Sequence, residues 1–534
     1  MMKMNGLLAI AASLAMPAAL AGCIGAPDDG VDCLSGRCDD VPDSEVPDSP
    51  CDGIITDHSG AGHKKVAGRN QDAFSKLVLQ TGDSCKTTFQ DMMAKLREVD
   101  KDGCAGERDG ITTRFIGEVA QLTQTPGSYR TVTTRRCGSR GTEGIIFSQF
   151  ARSTSTAAPA NAEIISFDET SGVFNFYDTD GSSMNFFGSS KDLLLGPDGE
   201  DRRCAACHVN GGLVMKELDT PWANWEGHVS TPGTDQVAMA VTDFGTKTNG
   251  AEFEGVVKNA NTKWNKVRIA HLKSVGAKAQ DILRPLFCTQ EINIDNGANF
   301  DSPIAGGTGG DQLSSIGADS LLDPTLKGFA SISITFQDYD DLIRQNGQRV
   351  DGVAGAIDTI IDYQFVERSH IDNDYVQALK AAGIVDDDFI KDVLMVDFTR
   401  PIFSDDRCGL LTFAPDLSGD QLTAAAVRDG FISALESESP AAGSPGATLL
   451  ASLKSTSDGA EHDAKVEAFL TACKGLGSRQ FLANALAITS LNRNKARELP
   501  VIETPPMLPT DNQSVDPASR LDPTTCQLTT SFSP

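Results

Sequence analysis

Between residues 130 and 190 the chain repeats with a period of two, and beyond about residue 250 with a period of three to four. The first period suits a strand with one buried face, and the second suits a helix with one buried stripe. Phe174 and Phe176 alternate with Asn175. The short segments Arg130–Arg136, Gly144–Phe150, Glu163–Asp168 and Val173–Asp178 are rich in β-branched and aromatic residues and are separated by turn residues. Asp178-Thr179-Asp180-Gly181 then supplies a turn before Ser183–Phe187. These segments predict an antiparallel meander. Helical spacing runs from Asp72 to Val99 and through 261–275, 352–366, 374–381, 387–396, 420–436 and 462–493. Loops are expected over Asp295–Asp311 and Ser439–Pro445. The predicted fold class is α+β: a small antiparallel β-sheet leading into a cysteine motif near residue 205, then a mainly α-helical region.

The N-terminus addresses the compartment. Lys3 is the only charge before an apolar run from Gly6 to Leu20. As a helix that run reaches roughly 23 Å, short of the ~30 Å hydrocarbon core of a bilayer. It reads as the apolar region of a signal peptide rather than a span. Leu20-Ala21-Gly22-Cys23 follows and resembles a bacterial lipobox. The resemblance implies cleavage before Cys23 and acylation of its thiol and new amino group, an anchor of several chains that is effectively stable. An ordinary secretory signal with an incidental Cys23 is the other reading. The expected location is the cell envelope, lipid-anchored and facing the periplasm or the cell surface. With Ile24 and no Asp after the anchor, the outer membrane is the expected site.

Charge narrows the partners. Asp and Glu total 73 against 46 Lys and Arg, a formal net of −27. That sign repels phosphate backbones, so no nucleic-acid partner is expected. It also repels anionic lipid heads, so attachment to a lipid membrane should be covalent. Residues 26–50 hold eight acidic residues and four prolines and read as an acidic tether. The expected division is a signal peptide over 1–22, a tether over 23–50, an α+β domain over 51–245, a mainly helical domain over 246–505 and an irregular tail over 506–534.

Of 13 cysteines, setting aside Cys23, Cys204 and Cys207 leaves ten: Cys33, Cys38, Cys51, Cys85, Cys104, Cys137, Cys288, Cys408, Cys473 and Cys526. An even number in an exported chain permits up to five disulfides, with connectivity open.

The chemistry concentrates in Cys204-Ala205-Ala206-Cys207-His208. This is C-x-x-C-H, the attachment pattern for haem c; composition alone would produce it in roughly 0.004 places in such a chain. Two thiols separated by two small residues reach both vinyl groups along one porphyrin edge, and the following imidazole is carried under the iron. A zinc site would want a second CxxC or a spaced His pair, and the chain has no second CxxC. A thioredoxin-like dithiol would open a helix, which Asn210-Gly211-Gly212 disfavours.

On these residues the chain resembles the c-type cytochromes, over Cys204, Cys207, His208 and about twenty residues beyond them. A short sheet leading into the motif also resembles the less common cytochromes c built on β-structure. The resemblance implies one covalent haem c held by Cys204 and Cys207, with His208 as iron ligand. The distal ligand stays open among Met215, His228, Met239, Met184 and none. His271 sits in a helical pattern and reads as structural. Trp222 and Trp225 are expected to pack, against either the haem edge or the core. Asn210-Gly211-Gly212 is expected to let the backbone turn close beside the ring. Asp178–Gly181 and Asp100–Gly103 resemble fragments of a calcium loop but lack the bidentate Glu. His58 and His63 could bind a metal, a solvated loop being the preferred reading.

Two functions follow. One is electron transfer with a redox partner protein at the cell envelope; the acidic surface reads first as a means of solubility and, more sharply, as a docking face for a basic partner. The other is a haem enzyme or small-ligand sensor with an open iron site, or an envelope binding protein with an accessory haem. A two-haem peroxidase would need a second CxxCH.

Overall fold

A computed structural model of the chain describes residues 42–99, 111–116, 128–136, 144–152, 160–194, 208, 210–212, 250–290, 292–295, 313–316, 321–323, 325–326, 332–345, 365–455, 459–498 and 515–530. Strands β1 (Ile55–Asp57), β2 (Ile111–Ile116), β3 (Ser128–Arg136), β4 (Gly144–Arg152), β5 (Ala162–Asp168), β6 (Val173–Thr179) and β7 (Met184–Ser189) form one seven-stranded sheet. The spatial order is β1-β7-β6-β5-β4-β3-β2. Strands β3 to β7 run as the antiparallel meander that the alternation predicts, and β2, which lies before the predicted segments, extends it antiparallel to β3. Strand β1 instead lies parallel to β7, Ile55 opposite Met184. The sheet is therefore mixed and larger than the sequence suggests, because pairing at such a separation leaves no local signature.

Alternation sends successive side chains of β6 to opposite faces. Tyr177, with Ile164 of β5 and Met184 and Phe186 of β7, joins a core containing Phe74, Val78, Phe89, Met92 and Leu96. The expected helical run from Asp72 to Val99 is interrupted: Ser75–Leu79 forms a π-type turn and Phe89–Val99 an α-helix. Between them stand Gly82, at φ +90°, and Cys85, which is bonded to Cys51. Phe187 is the extra residue of a bulge, since Phe176 pairs with Gly188 while Tyr177 pairs with Phe186.

Part of the expected tether is docked. Val46 is buried, Asp43 pairs with Arg69 at 2.9 Å, and Asp48 pairs with Lys65. Repulsion among the acidic residues is relieved there by two basic side chains of the folded body. Cys23 and the rest of the tether lie outside the described residues.

The helices beyond residue 250 gather round a second core in which Phe287 stacks on Phe431, ring centroids 5.2 Å apart. Helices His370–Ala381, Asp387–Leu394, Ala424–Glu438 and Pro445–Lys454 are N-capped by Ser369, Asp386, Thr423 and Ser444, whose side chains accept main-chain N–H bonds. The expected run 462–493 is two helices, Ala460–Gly475 and Ser478–Glu498, parted at Gly477 with φ +78°. Of the expected helix 352–366, residues 352–364 lie outside the described residues, and 365 and 366 belong to a strand, Phe365–Arg368, paired with Ile292–Asp295. Residues 296–312, nearly all of the expected Gly-rich loop, lie outside the described residues. The tail is less irregular than composition suggests: Arg520–Leu521 pairs with Leu528–Thr529, and Cys526 is bonded to Cys473. With Cys288–Cys408, six of the ten cysteines form three bridges. Cys33, Cys38, Cys104 and Cys137 lie outside the described residues. Among the described residues no helix is long and apolar enough to cross a membrane.

Helix Gly250–Ser274 joins the two cores. On one side it meets the sheet module, where Lys263 pairs with Glu169 and Val267 closes over Gly172. On the other, Asn265 Nδ2 donates to the carbonyl of Ile371 at 3.1 Å, and Thr262 Oγ1 donates to Asp374 at 2.7 Å. The expected boundary at residue 246 therefore falls four residues before a helix that both regions share.

Candidate functional site

Phe167, Phe174 and Phe176 emerge from the sheet face opposite the Tyr177 core, and all three are buried. The imidazole of His208 lies against Phe176, ring centroids 5.3 Å apart and tilted by 46°. The motif histidine is thus brought to the aromatic face of the meander, and its ring is half-buried there.

A tight turn follows. The N–H of Gly211 donates to the His208 carbonyl at 2.7 Å, and Gly211 takes φ +65°. His208 Nδ1 lies 2.9 Å from the carbonyl oxygen of Gly212. A carbonyl only accepts, so Nδ1 is the donor and carries the proton. When a ring held in this way is neutral, its lone pair belongs to Nε2. This is the arrangement that orients a metal-ligating histidine and raises its basicity. His208 therefore fits an iron ligand on an observation independent of the CxxCH spacing.

The turn is fastened from three sides. Ser190 Oγ donates to the Gly211 carbonyl and accepts from the N–H of Phe174 at 2.9 Å, tying the turn to β6. Trp264 Nε1 donates to the Asn210 carbonyl at 2.8 Å, and Arg268 Nη2 donates to Asn210 Oδ1 at 2.8 Å. Asn210, Trp264 and Arg268 are all buried. The glycines are also required by close protein contacts. A Cβ on Gly211 would stand 2.5 Å from the Ser190 carbonyl oxygen, and one on Gly212 would stand 3.0 Å from Asn261 Oδ1.

Cys204, Cys207, Met215, His228, Met239, Trp222 and Trp225 lie outside the described residues. Met184 does not share a face with His208: it is fully buried in the Tyr177 core, with the sheet between them. It is removed from the candidate distal ligands, because a side chain cannot reach through a hydrogen-bonded sheet. His271 lies in the last turn of helix Gly250–Ser274. Among the described residues, the tryptophan that packs at the turn is Trp264. Sequence reasoning missed it and Arg268, although they stand four apart on one helix and so share a face.

The remaining candidates resolve into local structure. His58 stacks on Phe187 and its Nε2 meets Asn185 Oδ1 at 3.0 Å, while the N–H of His63 donates to Asp57 at 2.8 Å. Asp180 caps the β6–β7 turn. Main-chain N–H bonds from Ser183 and Ser182 pull its carboxyl down to about 2. Asp100–Gly103 lies outside the described residues. Among the described residues, no group of three or more His, Cys, Asp or Glu could hold a metal ion.

A second polar cluster lies in the helical region, where His462 Nε2 is 2.9 Å from Asp392 Oδ1 and 3.1 Å from Ser452 Oγ. Burial works against the Asp392 charge. Hydrogen bonds from His462 and Ser452, with the Arg428 guanidinium, nevertheless hold its carboxyl below the ordinary range. Serine and aspartate both meet the same ring nitrogen, so the histidine cannot pass a proton from one to the other as a nucleophile relay requires. The cluster ties helix Pro445–Lys454 to helices Asp387–Leu394 and Ala460–Gly475.

No family model, no curated protein and no solved structure matches this chain.

Proposed function

We propose that the chain is a membrane-anchored c-type cytochrome that carries one haem on Cys204 and Cys207, with His208 as iron ligand, and transfers electrons at the cell envelope. The observation that carries the reading is the bond from His208 Nδ1 to the Gly212 carbonyl, the second contact by which a ligating histidine is oriented. When bound, haem c supplies a one-electron iron couple. The residues of this chain hold and tune it. Cys204 and Cys207 would hold the haem through their thiols, and His208 would supply the iron ligand. Phe176 gives the imidazole an apolar wall, and the Gly212 carbonyl makes it a stronger donor, which favours ferric iron. Cys23 is the proposed acylation site. A net charge of −27 suits a basic redox partner.

The test is the intact mass and the alkaline pyridine haemochrome spectrum of the chain begun at residue 24 and exported in a host that matures c-type cytochromes. One added haem with a c-type spectrum supports the reading, and its loss on changing Cys204 and Cys207 to Ala assigns the thiols. An unmodified mass would remove the cytochrome altogether. If the reduced protein binds carbon monoxide, the iron has an open position and the enzyme or sensor reading replaces electron transfer. Full-length chain with Cys23→Ala should leave the membrane fraction; retention there would refute the anchor.

A further inference from the structure

Gly212 supplies the carbonyl that orients His208, yet it has no side chain by which to be held in place. Its position is inherited from Asn210, two residues earlier, and Asn210 is gripped at both ends. Trp264 Nε1 holds its main-chain oxygen and Arg268 Nη2 its side-chain oxygen, each at 2.8 Å. Both grips come from one helix at i and i+4, so they move as a unit. The guanidinium of Arg268 also lies over the ring of Tyr375, 4.3 Å from its centroid, and the Tyr375 hydroxyl donates to the Ile282 carbonyl at 3.1 Å. The chain of contact runs from the helical core through Tyr375, Arg268 and Asn210 to the Gly212 carbonyl.

We propose that Asn210 is a positioning residue for the iron ligand, and that Trp264 and Arg268 set the reduction potential through it. The inference rests on the haem reading above and adds what the helical region does for the haem: it fixes the hydrogen bond of the histidine. A firmly held acceptor strengthens the imidazole as a donor and stabilises ferric iron, and loosening it favours ferrous iron.

The experiment is a spectroelectrochemical titration of the haem-loaded chain and of two variants, with covalent haem measured on each by mass. Asn210→Ala removes the bond to Arg268. Arg268→Lys keeps the positive charge but loses the planar fork, so any shift reports geometry rather than field. Both potentials should rise, Asn210→Ala by at least a tenfold change in the oxidised-to-reduced ratio at fixed potential, about 59 mV for one electron. Lys263→Ala, on the same helix but paired with Glu169, should keep the parent potential. If both variants carry covalent haem at the parent potential, the positioning role is wrong. If Asn210→Ala fails to fold, Arg268→Lys decides alone. A shift in Lys263→Ala as large as in the others would mean that any damage to the helix moves the iron, and would also overturn the assignment. Absence of haem on the parent chain would sink the cytochrome reading itself, and this inference with it.

Discussion

The hydroxyl of Tyr177 donates to Asp72 Oδ2 at 2.8 Å, joining a strand of the sheet to the turn that opens the adjoining helical segment. The same hydroxyl accepts from Asn70 Nδ2 at 2.8 Å, and Asp72 accepts in addition from Asn175 Nδ2 at 2.8 Å. Removing this hydroxyl leaves buried partners short of a bond. Tyr177→Phe should therefore cost about 1–3 kcal/mol in urea unfolding. A loss below about 0.5 kcal/mol would show that the network contributes nothing net.

The same phenol gives a pH signature. Burial, then the nearby Asp72 charge, push it well above the ordinary 10.0. The unfolded chain thus releases this proton first, at about 10, while the folded chain still holds it. The contribution to stability is complete below about 10 and is lost as pH rises beyond it. Stability measured from about pH 8 to 11 should fall more steeply for the parent than for Tyr177→Phe. Parallel curves would refute the burial argument.

Cys473–Cys526 closes a loop across a sequence separation of 53 and fixes the C-terminal hairpin to the helical core. Restricting the unfolded chain over that length is worth about 4 kcal/mol on the loop-entropy account. Asn484 Nδ2 also donates to the Cys526 carbonyl at 2.8 Å, so the tail has a second tie. Cys526→Ser should lower the unfolding free energy by that order and open 515–530 to protease. A variant as stable and as resistant as the parent would show that the bridge is dispensable.

Gly211 and Gly276 have nearly the same backbone, φ +65° and +74°, in different surroundings. A Cβ at Gly276 meets nothing within 4 Å, whereas one at Gly211 meets the Ser190 carbonyl. Gly276→Ala should cost only the left-handed penalty of about 1–2 kcal/mol. Gly211→Ala should cost that and the displacement of the turn, and should lower covalent haem content where Gly276→Ala does not. Equal behaviour of the two would refute the close-packing account.

Much of the sheet was legible because its signal is local. The alternation of Phe174, Asn175 and Phe176 and the Asp180-Gly181 turn lie within a few residues of one another. Strand β1 was invisible: three residues cannot establish a period, and their partner lies in β7. Helix Pro445–Lys454 carried a signal that was passed over, a Ser cap followed by Pro at the first helical position. The Pro and Gly of the preceding loop obscured it. At the site, the spacing that singles out His208 is local, while Trp264 and Arg268 come from a helix more than fifty residues later. Cysteine pairing is equally non-local, which is why composition gave the possibility of bridges and no connectivity.

The parallel seat of β1 beside β7 has a consequence for the order of assembly. A chain delivered N-terminus first presents Ile55 about 130 residues before Met184, the residue it will face. Each hairpin of the meander from β2 to β7 can zip as it emerges, since its partner follows at once. Strand β1 must wait, so the last seam of the sheet to close is the one nearest the beginning of the chain. Until then the edge of β7 is open to strands of other molecules. Truncation before β7 would leave Cys51 and Cys85 joined on a fragment with no edge to dock against, a nascent species for which chaperones should compete.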